Sequence, residues 1–328
     1  MLQNKNLLLN TKNLLAFSAG VDSSALLFLL LENNITFDIA IVDYGLRLQS
    51  KKEVDYAKQL AKKYNFKCHL LNTDAISTNF EANARAIRYD FFEELIWENN
   101  YDNLLTAHHL GDRLEWMLMQ LCKGAGAVEL AGMQAIDKRE KYQLLRPLLH
   151  LDKPELLEYL KSKNIKYFID ASNSDEKYKR NEFRHNFAQP LLAKYRSGIK
   201  RSFDYLDEDV ASLVEEIKVS NCNQLYYFES AENLRSNIIA IDKHFKSLGL
   251  LITSNEKALL KKYVNVIISR KYIVSFDRGF VFITPYIKVE KIEKELKEKL
   301  RLLKISPKRR AYLSTDSESV ELLSLLLQ

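Results

Sequence analysis

The sequence predicts an α/β protein in which a parallel β-sheet covered by helices is followed by a smaller, mainly helical C-terminal domain. Short, almost wholly apolar β-type runs alternate with stretches of helical periodicity through the first half of the 328 residues. That is the pattern of a sheet buried on both faces. The alternation stops near residue 150, and from about residue 219 the chain reads as a separate small unit.

Taken in order, the first strand is NLLAF (13–17), and FDIAIV (37–42), KCHLL (67–71) and NLLTA (103–107) follow it. Between them, 22–32, 51–64, 81–99 and 112–122 carry apolar residues at helical spacing. In such a sheet, ligands bind beyond the carboxyl ends of the strands. Chemistry is therefore expected just after Phe17, Val42 and Ala107. A helix starts near Lys153-Pro154, then comes the polar stretch DASNSDEKYKRNEFRH (170–185) and a helical run to about 218. The last unit reads as helices near 231–248 and 254–263, β-like VNVIISRKYIVSF and GFVFITPYIKV within 264–289, and a segment rich in Lys and Glu. No linker rich in Gly, Pro or Ser marks the junction. The domains are set at 1–205 and 206–328, the boundary falling within 200–220.

Bulk properties remove several function classes. Gly (9) and Pro (5) are scarce, which excludes collagen-like and low-complexity chains. A net charge of +6, with acidic and basic residues interleaved, permits a nucleic-acid partner without demanding one. Cys68, Cys122 and Cys222 form no CxxC pair. A zinc ribbon, a cysteine-ligated cluster and a disulfide framework thus lack their ligands, and a reduced, cytoplasmic compartment fits. No stretch approaches the roughly 20 apolar residues of a membrane span, and the N-terminus is too weakly apolar for a signal peptide.

The first strand runs into a turn of small residues, Ser18-Ala19-Gly20-Val21-Asp22-Ser23-Ser24, and then into an apolar helix. Small residues let the backbone approach an anion, while the free N–H groups and positive dipole end of the new helix bind it. Asp22 or Ser23 could equally serve as a plain helix cap. The turn has neither the Lys and spacing of a Walker A loop nor the GxGxxG of a dinucleotide site. Strand, SxGxDS, helix resembles the PP-loop of the N-type ATP pyrophosphatases, whose pattern is SGGxDS. Ala19 stands at the first glycine, which narrows backbone freedom there.

Further blocks resemble the lysidine synthases within that superfamily. Asp43-Tyr44-Gly45-Leu46-Arg47 is similar to their HGLR stretch, with Tyr44 at the histidine. Glu81-Ala82-Asn83-Ala84-Arg85-Ala86-Ile87-Arg88-Tyr89 matches ExxARxxRY and puts Glu81, Arg85 and Arg88 on one helical face. Thr106-Ala107-His108-His109-Leu110-Gly111-Asp112-Arg113-Leu114-Glu115 matches TAHHxxDxxE. Asp112 and Glu115 would share the face of a helix near its N-terminus, as a receptor for ammonium groups or a magnesium ion, or as a negative first turn satisfying the dipole. For His108 and His109, packing or phosphate contact is favoured over zinc, since no third ligand lies at useful spacing. Asp170-Ala171-Ser172-Asn173 and Arg180-Asn181-Glu182-Phe183-Arg184-His185 resemble DxSN and RNxxRH, and the run of cations Lys177, Lys179, Arg180, Arg184 and His185 suits nucleotide phosphates or the RNA backbone, as it would also suit capped surface helices. The chain departs from the family at Gly111, Arg113 and Trp116, where a second acid, a Gln and a Thr are usual.

The resemblance implies a Rossmann-like PP-loop ATP pyrophosphatase domain that splits ATP to AMP and pyrophosphate, with Mg²⁺. Its expected substrates are ATP, L-lysine and tRNA(Ile) bearing a CAU anticodon, whose cytidine 34 is adenylated and then attacked by lysine. By the same resemblance Ser18, Ala19, Gly20, Val21, Asp22 and Ser23 hold the phosphates, and Asp22 assists the metal. Arg88 and Arg184 stabilise phosphate charge, Asp112 and Glu115 hold lysine, and the segment after 219, with Lys308-Arg309-Arg310, grips the tRNA body. Oligomeric state stays open, a homodimer included. The competing readings are a PP-loop tRNA thiolation enzyme, whose usual paired cysteines are missing here, and a non-catalytic RNA-binding protein with a degenerate nucleotide pocket.

Overall fold

Residues 1–45, 48–73, 80–169, 179–289 and 291–327 are described by the structure, a computed structural model. Arg47, Asp170, Ser172, Asn173, Lys177 and the side chain of Glu81, all singled out above, lie outside them. The chain divides into two compact units, Met1–Glu208 and Asp209–Gln328.

In the first unit the strands are β1 (Asn13–Ala16), β2 (Phe37–Asp43), β3 (Cys68–Asn72), β4 (Asn103–Leu105), β5 (Ile136–Lys138) and β6 (Gln143–Leu145). They lie in the order β3-β2-β1-β4-β6-β5, all parallel except the edge strand β5. Helices α1 (Val21–Glu32), α2 (Leu48–Tyr64), α3 (Phe80–Asn99), α4 (Leu110–Leu121), α5 (Ala127–Ala131), α6 (Lys153–Ser162), α7 (Lys179–Phe183) and α8 (Gln189–Leu213) accompany them. Arg184–Ala188 is a π-helical turn between α7 and α8.

Alternating side chains feed two cores. On one face Leu15, Ile39, Ile41, Leu105 and Leu145 pack with Leu26, Leu27 and Leu30 of α1, Leu60 of α2 and Leu156 and Leu160 of α6. On the other, Leu14, Ala40, Leu104 and Leu144 pack with Phe91, Phe92, Leu95 and Ile96 of α3. Burial on both faces explains why these strands read as continuous apolar runs. Because β1 pairs with β2 on one side and β4 on the other, the strand order reverses between β1 and β4. A crevice opens at such a switch point, and the turn at 18–23 and the helix start at 109–112 flank it.

The second unit holds an antiparallel sheet of β7 (Ser220–Cys222), β8 (Leu225–Glu229), β9 (Asn265–Ile268), β10 (Tyr272–Asp277) and β11 (Phe280–Pro285), in the order β7-β8-β11-β10-β9. Helices α9 (Leu234–Ser247) and α10 (Ser254–Leu260) belong to one core, with Ile241, Phe245 and Leu260 against Val274, Val281 and Ile283. Helices α11 (Lys294–Leu302), α12 (Pro307–Leu313) and α13 (Ser317–Leu326) cover a second core around Leu225 and Phe282. The sequence reading had no strands at 220–229. It also placed Arg309 among RNA-gripping cations, and here a correction is needed. Arg309 is 1% exposed, its Nη2 donates to Asp277 Oδ2 at 2.6 Å, and its guanidinium lies 4.9 Å from the Phe282 ring centre. A side chain so enclosed is a core ion pair and offers nothing to a phosphate. No helix among the described residues is long and apolar enough to cross a membrane.

Candidate active site

The turn after β1 is held by its serines. Ser18 Oγ and Ser23 Oγ lie 3.1 Å apart, Ser18 N–H donates to Ser23 Oγ at 3.2 Å, and Ser23 Oγ–H donates to the Gly20 carbonyl at 3.3 Å. Ala19 is fully buried with φ +57°, and its carbonyl accepts from Phe168 N–H at 2.9 Å. The left-handed conformation explains the family's glycine here, and alanine tolerates it at a cost of about 1–2 kcal/mol. Gly20 is the N-cap of α1, in extended conformation, and no side chain caps this helix end. A Cβ on Gly20 would meet only Ser18 Oγ, at 3.4 Å. Neither backbone nor packing demands glycine there.

Asp22 sits in the first turn of α1. Its Oδ2 accepts from Lys153 Nζ at 3.2 Å, while Oδ1 is buried with no hydrogen-bond partner. His109 Nε2 lies 3.9 Å from Oδ1, beyond hydrogen-bond reach. An unsatisfied buried carboxylate oxygen is costly and marks a place for a ligand. Mg²⁺ takes one or two carboxylates plus phosphate oxygens and water, so a single free oxygen fits it. Among the described residues no group of three or more His, Cys, Asp or Glu could hold a metal by itself.

His109 caps α4. Its Nδ1 accepts from Gly111 N–H at 3.0 Å, and its own N–H donates to Asp112 Oδ2 at 3.0 Å, a reciprocal capping box. With Nδ1 accepting, the neutral ring carries its proton on Nε2, aimed between Asp22 Oδ1 and Asp112 Oδ2, the latter 3.7 Å away. A Cβ at position 111 would come within 2.7 Å of His109 Cε1, so with the ring in this position glycine is the residue that fits. His108 Nδ1 shares a hydrogen bond with Thr106 Oγ1 at 2.9 Å. Burial drives its pKa down to about 4 against the pull of Asp112.

Asp112 and Glu115 share one face of α4, and the Glu115 side chain is only 2% exposed. Two arginines fill that face. Arg180 donates through Nε to Glu115 Oε2 and through Nη2 to Asp112 Oδ1, both at 3.0 Å. Arg184 donates through Nε and Nη2 to the two Glu115 oxygens, and its Nη2 lies 3.5 Å from Asp112 Oδ1. Burial raises the Asp112 pKa, but His109, His108, Arg180 and the His109 N–H outweigh it and hold the carboxyl well below its usual range. Arg184 comes from the π-helical turn, an irregularity frequent at functional sites.

Arg88 is exposed on α3 beside the hydroxyl of Tyr44, which donates to the Ala84 carbonyl at 3.0 Å. Arg113 donates to Asp207 through two guanidinium nitrogens and to the Ala131 carbonyl at 3.1 Å, stacking 4.3 Å from the Phe203 ring centre. It ties α4 to α5 and α8 and takes no part in the crevice. Trp116 covers Gly132 (φ +64°), where a Cβ would lie 2.4 Å from the indole. The family departures at 113 and 116 therefore serve packing. Sequence reasoning missed Lys153 and saw Arg180 only as one cation in a run. A lysine at the first position of a helix, where a cation opposes the dipole, was the available signal.

Residues 2–191 match a family of PP-loop domains. The chain is 41% identical to the tRNA(Ile)-lysidine synthase of Campylobacter jejuni (strain RM1221), with 97% of each covered. It is 42% identical to that of Helicobacter pylori, covering 91% of this chain and 88% of the relative. For Wolinella succinogenes the identity is 42%, with 95% of each covered. Among solved structures, the U34-tRNA thiolase NcsA from Methanococcus maripaludis superposes with a TM-score of 0.52 at 19% identity, over 63% of this chain and 76% of that one. That likeness shows the shared fold alone.

Proposed function

Because the chain belongs to the tRNA(Ile)-lysidine synthase family of PP-loop enzymes, we propose that the crevice between β1 and β4 is where ATP, lysine and cytidine 34 of tRNA(Ile) meet. The activity is that of an ATP-using ligase. The cytidine C2 oxygen attacks the α-phosphorus of ATP and pyrophosphate leaves. The lysine ε-amine then attacks C2, and AMP departs with the oxygen. Adenylation turns a poor leaving group into a good one, so the protein's work is positioning and charge neutralisation.

The uncapped N-terminus of α1 and residues 18–23 receive the β- and γ-phosphates. Glycine at 20, which the fold itself does not require, lets an anion approach the backbone closely. Asp22 Oδ1 would hold Mg²⁺, which when bound would supply charge neutralisation of the phosphates. Arg184 and Arg88 answer phosphate charge, and Asp112 and Glu115 receive the ammonium groups of lysine. These acids are paired with Arg180 and Arg184, so lysine competes for the acids while a phosphate draws the arginines off. In the second unit the exposed cations of α11, Lys294, Lys297 and Lys299, are suited to the RNA backbone.

The observation that carries this reading is the buried, unpartnered Oδ1 of Asp22 at the open end of α1. Asp22→Ala tests it by tRNA-dependent ATP–pyrophosphate exchange. Loss of exchange is expected, and an unchanged rate removes Asp22 from the mechanism.

A further inference from the structure

The PP-loop carries no lysine of its own, yet one reaches it from elsewhere in the first unit. Lys153 lies 131 residues beyond Asp22 in sequence, and its Nζ sits 3.2 Å from Asp22 Oδ2. Its side chain is 39% exposed, so the ammonium faces both the turn and solvent. An ammonium has three donors, and Asp22 takes one.

The backbone beneath Lys153 is fixed. Asp152 caps α6 by a reciprocal box, accepting from Glu155 N–H at 3.1 Å while its own N–H donates to Glu155 Oε2 at 2.8 Å. Arg196 of α8 holds the other Asp152 oxygen at 3.1 Å. Leu156 and Leu160 of α6 pack into the core that also holds Leu26 and Leu30 of α1. Two helix N-termini are thereby set side by side, and Lys153 occupies the first position of one of them. A cation there opposes the helix dipole. Its partly exposed ion pair with Asp22 is worth little to stability, whereas an anion placed between the two helix ends gives the cation a role.

We propose that Lys153 is the cation of the pyrophosphate site, leaving Asp22 Oδ2 to bind the β- and γ-phosphate oxygens when ATP enters. The inference rests on the reading of 18–23 as the ATP site. In the absence of nucleotide Lys153 screens Asp22, which would otherwise repel the incoming phosphates. With nucleotide present, Lys153 turns to the phosphates, and Asp22, freed of it, would be available to hold a magnesium ion. The residue thus supplies from α6 what a Walker A lysine supplies within its own loop.

Full-length Lys153→Met, Lys153→Gln and Lys153→Arg proteins test this, with folding checked by thermal unfolding. The readouts are KM for ATP and the inhibition constants of two products, pyrophosphate and AMP. Losing a charge-assisted hydrogen bond corresponds to about tenfold or more in affinity. We expect Lys153→Met and Lys153→Gln to weaken ATP and pyrophosphate by at least about that factor, to leave AMP inhibition unchanged, and Lys153→Arg to restore most of the loss. A lysine that only propped Asp22 would act through the metal, so raising Mg²⁺ would restore the neutral variants; that restoration, or a loss that weakens AMP as much as pyrophosphate, overturns the proposal. Wild-type protein without ATP–pyrophosphate exchange sinks the ATP-site reading and this inference together. An active wild type whose neutral Lys153 variants match it sinks this inference alone.

Discussion

Arg184 grips Glu115 with two guanidinium nitrogens, Nε to Oε1 at 2.5 Å and Nη2 to Oε2 at 3.0 Å. Arg180 reaches the same carboxylate, so one almost fully buried acid answers two arginines that are themselves 34% and 21% exposed. Removing one partner of a buried pair costs more than the pair contributes, because the charge left behind has lost its water. Glu115→Ala is therefore expected to lower unfolding stability by about 3 kcal/mol, the partial exposure of the arginines keeping it at the low end. Trp97 and Trp116, both in the first unit, report the transition in urea. A loss below about 1 kcal/mol, the worth of a surface pair, would show the cluster to be well solvated.

Gly111 and His109 form a second coupled pair. A methyl at position 111 would press on His109 Cε1 at 2.7 Å and dislodge the cap of α4. Gly111→Ala is expected to cost about 1–3 kcal/mol, as overpacking does. Adding His109→Asn, which keeps a capping acceptor but lacks the ring, should recover part of that stability. A double-mutant cycle in urea measures the coupling, and strictly additive losses would show that the ring does not carry the strain.

Arg309 separates a core role from an RNA role. Its removal by Arg309→Ala leaves Asp277 unpaired beside Phe282 and is expected to cost about 3 kcal/mol or more. The slope of log affinity for tRNA against log salt should not change, whereas loss of a true phosphate contact lowers it by about one. Circular dichroism melts and filter binding over a salt series read the two quantities.

His108 makes stability fall in mild acid. Its ordinary pKa of 6.5 is driven down to about 4 in the folded chain by burial. Above pH 6.5 neither state binds the proton. Between that pH and about 4 the unfolded chain binds it and the folded chain does not, so stability declines as pH drops, by up to roughly 3 kcal/mol. His108→Gln should flatten that part of the profile, and an identical slope in the variant would assign the loss to other groups.

Much of the first unit was legible because its strands are buried on both faces and its helices are long enough to show their period. NLLA, FDIAIVD and the helix opening at 21 each announce themselves. The strands Ile136–Lys138 and Gln143–Leu145 do not, since the charged run Asp137-Lys138-Arg139-Glu140-Lys141 breaks up the apolar pattern that made the equally short β4 visible. Ser220–Cys222 and Leu225–Glu229 were missed for a related reason, as LYYFE shows weak alternation and its partner strand is short. At the site, the residues following β1 and β4 could be found because strand ends of a parallel sheet collect chemistry. The pairing of Asp112 and Glu115 with Arg180 and Arg184 could not, because it joins segments 65 to 69 residues apart. For the same reason Lys153 stayed hidden, and the burial of Arg309 depends on a hairpin that its own segment does not encode.

The most direct test of the account is transfer of labelled lysine. Wild-type protein is incubated with ATP, Mg²⁺, labelled lysine and a transcript of tRNA(Ile) bearing CAU, beside the same transcript with cytidine 34 replaced. Label is expected only in the transcript with cytidine 34, with AMP and pyrophosphate released in step, and it should vanish in Asp22→Ala. Label in both transcripts, or none in either while ATP is still split, would contradict the assignment of this crevice to cytidine 34.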